Sequence, residues 1–477
     1  MIFHSLDFLA FFVVTTLVYW RLPQRGQNLL IVAISYLFYG YVHPWFVGLL
    51  ALTTIVDFSL ARAIERQPTR RKWWLGVSLV VNLGLLGFFK YFNFFAENVS
   101  VALESMGLSA SLPVLSILLP VGISFYTFQS LSYTIDVYRG QLRARRSLVD
   151  FAAFVSFYPQ LVAGPIERAS HLLPQLERRR VWDWPIARDA VFLVAWGFFK
   201  KIVIADNVGL IANKVFSLSE PGFTVLWAGV FAFAIQIYAD FSAYSDIARG
   251  VARWLGFDLM VNFNHPYLAS GPVDFWRRWH ISLSTWFRDY VYIGLGGSRR
   301  GTGRAMANLW MTFLVSGLWH GASWNYVLWG AYHGALVTIA RLLSRRGQGR
   351  PRSEVWAVLE PLQILGMFLL TCIGWLIFRE TDMQMLRRGL TLSPWHTTLA
   401  DRQVGGYLFL LAFAYSVPLW VQSIWAVYVE PSLRSSPRPG AWGGWATLWQ
   451  SLMTGLALAA MLVLRSRQSL DFIYFQF

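Results

Sequence analysis

The 477-residue chain reads as an all-α, polytopic bundle of transmembrane helices, and three observations predict that class. Apolar blocks of roughly 17–25 residues, enough for a helix to cross a bilayer, recur from end to end. Charged residues make up only 14% and hydrophobic residues 56%, whereas a soluble chain carries about a quarter charged. The arginines gather in short segments between the apolar blocks, as cytoplasmic loops do. About 11–13 membrane helices are expected, with some half-inserted segments and no separate soluble domain.

Charge orients the first five spans. Residues 6–20 cross first and end near Arg21 and Arg25. Met1 to Asp7 lacks the positive n-region of a signal peptide and reads as the start of an uncleaved helix. Residues 28–42 return, and 45–61 cross again to a loop with Arg62, Arg66, Arg70, Arg71 and Lys72. Residues 73–90 lead into 91–138, which holds Glu97, Glu104 and Asp136 but no Lys or Arg. A fifth span, about 113–134, ends at Arg139, Arg143, Arg145 and Arg146. This alternation puts the N-terminus outside and the arginine loops in the cytoplasm.

Further apolar segments fall at 149–163, 189–205, 223–245, 306–322, 325–342, 361–378, 406–426 and 446–464. The arginine-rich stretch 341–353 and the Pro-, Gly- and Ser-rich stretch 431–445 read as loops. Between 246 and 305 the chain is too polar for a simple span, with Pro266, Pro272 and Gly294-Leu295-Gly296-Gly297. Irregular backbone at membrane depth survives only inside protein or beside a cavity. Half-inserted helices around a central site are therefore expected there. No fixed-period repeat or inverted duplication is visible.

Two function classes fall away. The net charge of +16 does not form the continuous basic face that nucleic acid requires. The single Cys372 allows neither an intrachain disulfide nor a CxxC motif.

His320 is the residue that points to chemistry. It lies in Leu309 to Gly321, a stretch otherwise suited to hydrocarbon. An ionisable group at that depth usually faces a protein interior or a wet cavity and has a task. In apolar surroundings the uncharged imidazole is favoured, and it can take a proton from a hydroxyl attacking an acyl thioester. Ser316 (i−4) and Ser323 (i+3) would share its helical face, while Gly317 and Gly321 let a helix or substrate approach the backbone. A structural histidine bonded across a helix interface is the plainer alternative.

His280 follows Phe275-Trp276-Arg277-Arg278-Trp279. In a continuous helix, His280, Ser284 and Arg288 would form one polar stripe. Arg277 and Arg278 could grip phosphates of a pantetheine-type donor, although snorkelling beside the belt tryptophans explains them more simply. Trp319, Asn325 and His333 are further candidates for lining a substrate cavity. His265, among asparagines and before Pro266, reads as a turn residue. No HxxxH or HExxH spacing suggests a metal, and none is expected. Asp57, Asp136, Asp240 and Asp246 also lie in apolar context. Asp240 and Tyr244 could carry protons in a transporter, but pairing with an arginine of a neighbouring helix is the expectation.

Six segments in fixed order then resemble the membrane-bound O-acyltransferases, in the bacterial branch that modifies exported polysaccharides and teichoic acid. They are Leu119 to Gln129, Phe157 to Ile166, Asp240 to Asp246, Phe275 to Tyr292, Gly317 to Ala322 and Phe472 to Phe477. The resemblance covers most of the chain and implies one membrane domain, 1–477, around a central tunnel. It divides into N-terminal helices 1–138, a core 139–345 and C-terminal helices 346–477. It implies that His320 is the essential histidine midway along the tunnel and that His280 is the second histidine of this branch. Two departures stand out. Tyr292-Ile293-Gly294-Leu295-Gly296-Gly297 replaces a usual Tyr-Ile-Pro-Leu-Gly-Gly, and Ser270-Gly271-Pro272 stands where an Arg-Ser pair is common. Both bear on a loop or the acceptor, and neither touches the histidines.

The expected function is thus O-acetylation of an exported polysaccharide such as alginate, by an enzyme of the bacterial inner membrane. The donor would be acetyl-CoA or an acylated carrier protein at the cytoplasmic face, with no bound cofactor. Periplasmic acetyltransferase partners are implied at the other face. D-alanyl transfer to teichoic acid is the rival within the class. A transporter or a non-enzymatic export scaffold is the rival outside it.

Overall fold

Helix dominates the computed structural model, which describes residues 3, 5–41, 43–108, 112–346, 354–431, 439–466, 468 and 470–473. No strand occurs among those residues, and the chain is an all-α, multi-pass membrane protein. Among the described residues, five helices are long and apolar enough to cross a bilayer, at Phe46–Arg66, Pro68–Ser105, Phe223–Trp254, Leu359–Arg379 and Leu399–Val429. Shorter apolar helices at Leu6–Tyr19 and Ser451–Leu464 join them. Several predicted spans do form helices, but shorter or more polar ones. The chain divides into two compact units, Met1–Val191 with Ala248–Met260, and Phe192–Ile247 with Val261–Phe477.

In the first unit, α1 (Leu6–Tyr19) is capped by Ser5, whose hydroxyl accepts from Phe8 N at 3.1 Å. It is followed by α2 (Gln24–Gly40) and α3 (Phe46–Arg66). The next rod joins α4 (Arg71–Leu86), a π-helical turn at Gly87–Tyr91 and α5 (Phe92–Ser105). The fifth span begins ten residues later than its apolar run suggests, as α6 (Ile123–Tyr138). Pro120 lacks an N–H, and Gly122 takes a left-handed turn with φ +79°. A Cβ on Gly122 would lie 2.6 Å from Leu161 O, so glycine is required twice over. The expected span 149–163 is instead α7 (Leu148–Ser156) and α8 (Tyr158–Leu161), broken at Phe157 before Pro159. Then comes α9 (Ala169–Glu177).

Two buried polar groups tie this unit together. The Asp57 carboxylate accepts from Ser78 Oγ (2.6 Å), Ser130 Oγ (2.6 Å) and Asn82 Nδ2 (3.0 and 2.9 Å), joining α3, α4 and α6. Neutral donors do what an arginine was expected to do here. Arg180 donates to Gln27 Oε1 (3.1 Å) and Asn28 Oδ1 (2.6 Å) and lies over the Phe257 ring. One arginine of a loop cluster is therefore structural.

After α10 (Trp184–Phe199) and a π-helical segment, Lys200–Ala205, come α11 (Asp206–Phe216) and α12 (Phe223–Trp254). The polar region begins later than 246, because α12 continues to Trp254. It then breaks into short pieces as expected: α13 (Pro272–Arg278), α14 (Ile281–Trp286) and a π-helical turn, Phe287–Tyr292. A helical hairpin follows, α15 (Thr302–His320) and α16 (Trp324–Arg346). Its helices touch backbone to backbone. A Cβ on Gly317 would lie 2.1 Å from Tyr326 O, and one on Gly330 would lie 2.3 Å from Phe313 O.

The remaining helices are α17 (Glu354–Arg379), α18 (Met383–Thr391), α19 (Leu399–Ile424) and α20 (Pro439–Leu464). The predicted loop 341–353 is helical to Arg346, and 347–353 lie outside the described residues. The predicted loop 431–445 is helical from Pro439, and 432–438 lie outside the description.

In the second unit the intramembrane acids pair with lysines, where arginines were expected. Lys201 Nζ sits 3.0 Å from both Asp206 Oδ1 and Asp240 Oδ1, and Lys200 Nζ sits 2.7 Å from Asp246 Oδ2. Lys201 also lies over the Phe472 ring, and Ile473 N donates to Asp240 Oδ2. These acids fasten helices and a terminal segment. The segment's last part, Tyr474 to Phe477, is outside the described residues.

Candidate active site

The helix α15 stops at His320 because Gly321 is extended and turns the chain back into α16. The imidazole is buried between rings, with centroids 5.0 Å from Trp319, 5.0 Å from Trp329 and 5.3 Å from Phe378. Ser316 is buried one turn earlier on α15. Ser323 falls beyond the helix end, so it does not share the helical face expected of it. Gly321 does permit close approach, by the Tyr326 ring.

His280 reaches the same cluster from a different element. It is buried, edge-on to Phe241 at 4.6 Å and 6.1 Å from Trp319. Its backbone is left-handed, φ +41°, which is uncommon for a side chain this large and often marks a functional position. The conformation is held by a clamp. Asn264 N donates to Arg278 O and Ile281 N donates to Asn262 O, both at 2.9 Å. The buried Asn262 side chain accepts from Ser282 N (3.2 Å) and Ser282 Oγ (2.9 Å), and donates to Ser245 Oγ on α12 (3.3 Å).

His333, on α16, completes the cluster. Its ring is 4.8 Å from Trp329, 5.1 Å from Trp276 and 6.1 Å from Phe275. The rings thus run in sequence, His280, Trp319, His320, Trp329, His333. Among the described residues, His333 Nδ1, Trp329 Nε1 and Trp276 Nε1 are buried with no hydrogen-bond partner. Buried polar atoms are nearly always satisfied, so three orphans in touching rings mark a place that accommodates polar groups.

The other candidates sort differently. Ser284 donates its hydroxyl to Trp279 O. Arg288 sits in the π-helical turn, largely exposed and paired with Asp289 at 2.7 Å. The proposed stripe is broken, because α14 lasts one and a half turns and the π turn shifts the register. Arg278 is paired with Asp274 at 3.0 Å, and Arg277 is exposed. Asn325 donates to Ile377 O (3.3 Å) and Phe378 O (2.9 Å), which fixes α16 against the end of α17. His265 is also left-handed, with Nδ1 3.0 Å from Ser423 Oγ, as a turn residue should be. No three His, Cys, Asp or Glu side chains among the described residues converge as metal ligands.

Sequence reasoning missed Asn262. Its signal in the sequence is the pair Asn262 and Asn264 in an apolar setting, which reads as part of a turn.

Residues 139–378 match the model of the MBOAT, membrane-bound O-acyltransferase family. The chain is 42% identical over 394 residues to a probable alginate O-acetylase AlgI of Azotobacter vinelandii, covering 81% of this chain and 77% of the relative. It is 37% identical to the Pseudomonas putida protein of the same name, over the whole of both. A teichoic acid D-alanyltransferase of Bacillus subtilis is more distant, 27% identical over 54% of this chain and 68% of its own.

Proposed function

The chain belongs to the membrane-bound O-acyltransferase family, and on that footing we propose that it acetylates hydroxyls of an exported polysaccharide of the alginate kind. The observation that carries the reading is the cluster of three buried imidazoles, His280, His320 and His333, linked through the rings of Trp319 and Trp329 inside the segment that matches the family model.

His320 acts as general base. It takes the proton of the accepting hydroxyl while that oxygen bonds to the thioester carbonyl carbon. The tetrahedral adduct then collapses, the C–S bond breaks, and the proton passes to the departing thiolate. His280 orients the acceptor or steadies the negative charge on the adduct. General-base assistance of this kind supplies about 10²–10⁴ in rate.

The donor is a thioester, acetyl-CoA or an acylated carrier protein, arriving at the arginine-rich cytoplasmic side of a bacterial inner membrane. The alternation of arginine segments supports that orientation, with the N-terminus outside. Acetylation partway through the membrane spares a charged donor from crossing it, and periplasmic partners complete the transfer. The deciding experiment measures polymer acetylation in cells carrying wild type, His320→Ala or His280→Ala at matched membrane levels. Loss with His320→Ala supports the reading, and retention ends it. The D-alanyl rival predicts dependence on a D-alanyl carrier protein. A transporter predicts that Asp240→Asn abolishes function while His320→Ala spares it.

A further inference from the structure

The first unit contains a cavity of about 420 Å³ whose lining includes Trp20, Trp182 and Trp254. Trp182 packs edge-on against Trp20 at 5.2 Å and against Trp254 at 5.0 Å. The indole Nε1–H groups of Trp20 and Trp254 are buried without an acceptor among the described residues. Buried donors of this kind are rare unless something supplies the acceptor.

Charge narrows what that is. Asp183, Asp189 and Asp258 line the cavity, and among the described residues Arg253 is the only cation in its lining. Arg253 is already bonded to Asp258, at 3.2 and 3.1 Å, and Arg188, outside the lining, reaches Asp189 at 3.7 Å, so the three carboxylates still outnumber the two guanidiniums beside them. The surplus is negative, so a phosphate-rich nucleotide is repelled and an ammonium is favoured, in reach of carboxylates and indole faces. Position narrows it further. Trp20 directly follows α1, whose Leu6, Leu9, Val13, Val14 and Leu17 are exposed, and Arg21 comes next. That order places Trp20 at headgroup level. Val181 and Ile186, also exposed, give the cavity an apolar rim.

We propose that this cavity holds the headgroup of an amine-bearing zwitterionic phospholipid of the phosphatidylethanolamine kind. Its ammonium lies against the indoles beside Asp183 and Asp189. Its phosphate oxygens accept from the Trp20 and Trp254 indoles, and its chains leave over Val181 and Ile186.

The test titrates the full-length, delipidated protein in detergent, read by native mass spectrometry. The probes are dihexanoyl phosphatidylethanolamine, dihexanoyl phosphatidylglycerol and free ethanolamine. The ethanolamine lipid should bind at least about tenfold more tightly than either of the others. Trp182→Ala and Asp189→Asn should each weaken it about tenfold. Asp189→Asn changes charge with little change of shape, and it carries the test should Trp182→Ala fold poorly. Equal affinity for the glycerol lipid, or unchanged affinity in Asp189→Asn, overturns the proposal. Free ethanolamine binding as tightly as the lipid overturns the lipid assignment and leaves a soluble amine as ligand.

Discussion

Asp57 in the first unit and the histidines of the second are both ionisable groups buried in apolar helices, yet their surroundings differ in kind. Around the Asp57 carboxylate stand hydroxyls and an amide, from two neighbouring helices, each within 3.0 Å. Around the histidines stand tryptophan and phenylalanine rings. Hydrogen bonds from every side fix a group and use up its bonding capacity. Ring packing fixes the plane of an imidazole without consuming its nitrogens, as Nδ1 of His333 illustrates. The first arrangement makes a joint, and the second leaves Nδ1 of His333 without a partner among the described residues.

This contrast can be broken or sharpened by substitution. The largest expected effect is that of His320→Ala, a fall of about 10²–10⁴ in polymer acetylation with little change in the protein's unfolding temperature. A comparable loss of stability would show that the ring is a joint after all. Asp57→Leu should do the reverse. It takes from Ser130 its acceptor, at about 1–3 kcal/mol if no new one is found, and leaves Ser78 with Thr134 Oγ1 (3.2 Å) and Asn82 with Ser78 O (3.0 Å) while the tie between the three helices is lost, so detergent-solubilised protein should unfold at lower temperature. Mature protein that survives should keep its turnover.

Asn262→Ala tests the hinge between the two behaviours. It removes the acceptor for Ser282 and loosens the left-handed turn at His280. We expect a drop of about tenfold in acetylation per molecule, with His320 and the donor requirement unchanged. Asn262→Asp, which keeps the acceptor oxygen, should recover part of the loss. An effect on protein abundance alone would assign Asn262 to stability only.

The smallest effect lies outside the apolar spans, at His171. Its hydrogen bond to the buried Glu167 carboxylate, 2.7 Å, raises its pKa above the usual 6.5. A raised folded-state value stabilises the protein fully below the unfolded value and fades as pH rises through the folded one. His171→Gln should therefore lower the unfolding temperature slightly at about pH 6 and hardly at all at about pH 9. An equal effect at both values would remove the ion pair from the account. The half-exposed ring keeps the expected shift small.

Much of this was legible in the sequence because it is local. Apolar runs located most helices, and Gly317 and Gly321 announced close packing at His320. Other features depend on residues far apart in the chain, which periodicity cannot report. Asp57 meets Ser130 across 73 residues, and Arg180 meets Asn28 across 152. Lys200 and Lys201 lie in an apolar stretch, and their aspartates are on α11 and α12. The polar stripe at His280 failed for a local reason, since neither the left-handed turn nor the π turn has a strong residue signature outside glycine. The delayed start of α6 was readable from Pro120 and Gly122, but the apolar run around them concealed it.

The bond between Ile473 and Asp240 spans 233 residues. A ribosome adds roughly 5–20 residues per second, so for on the order of ten seconds or more after α12 emerges, Asp240 must wait in the membrane for its partner. During that interval Lys201 stands as its provisional companion. The second unit therefore closes late in biogenesis, and truncated products should reach the quality-control machinery with that seam still open.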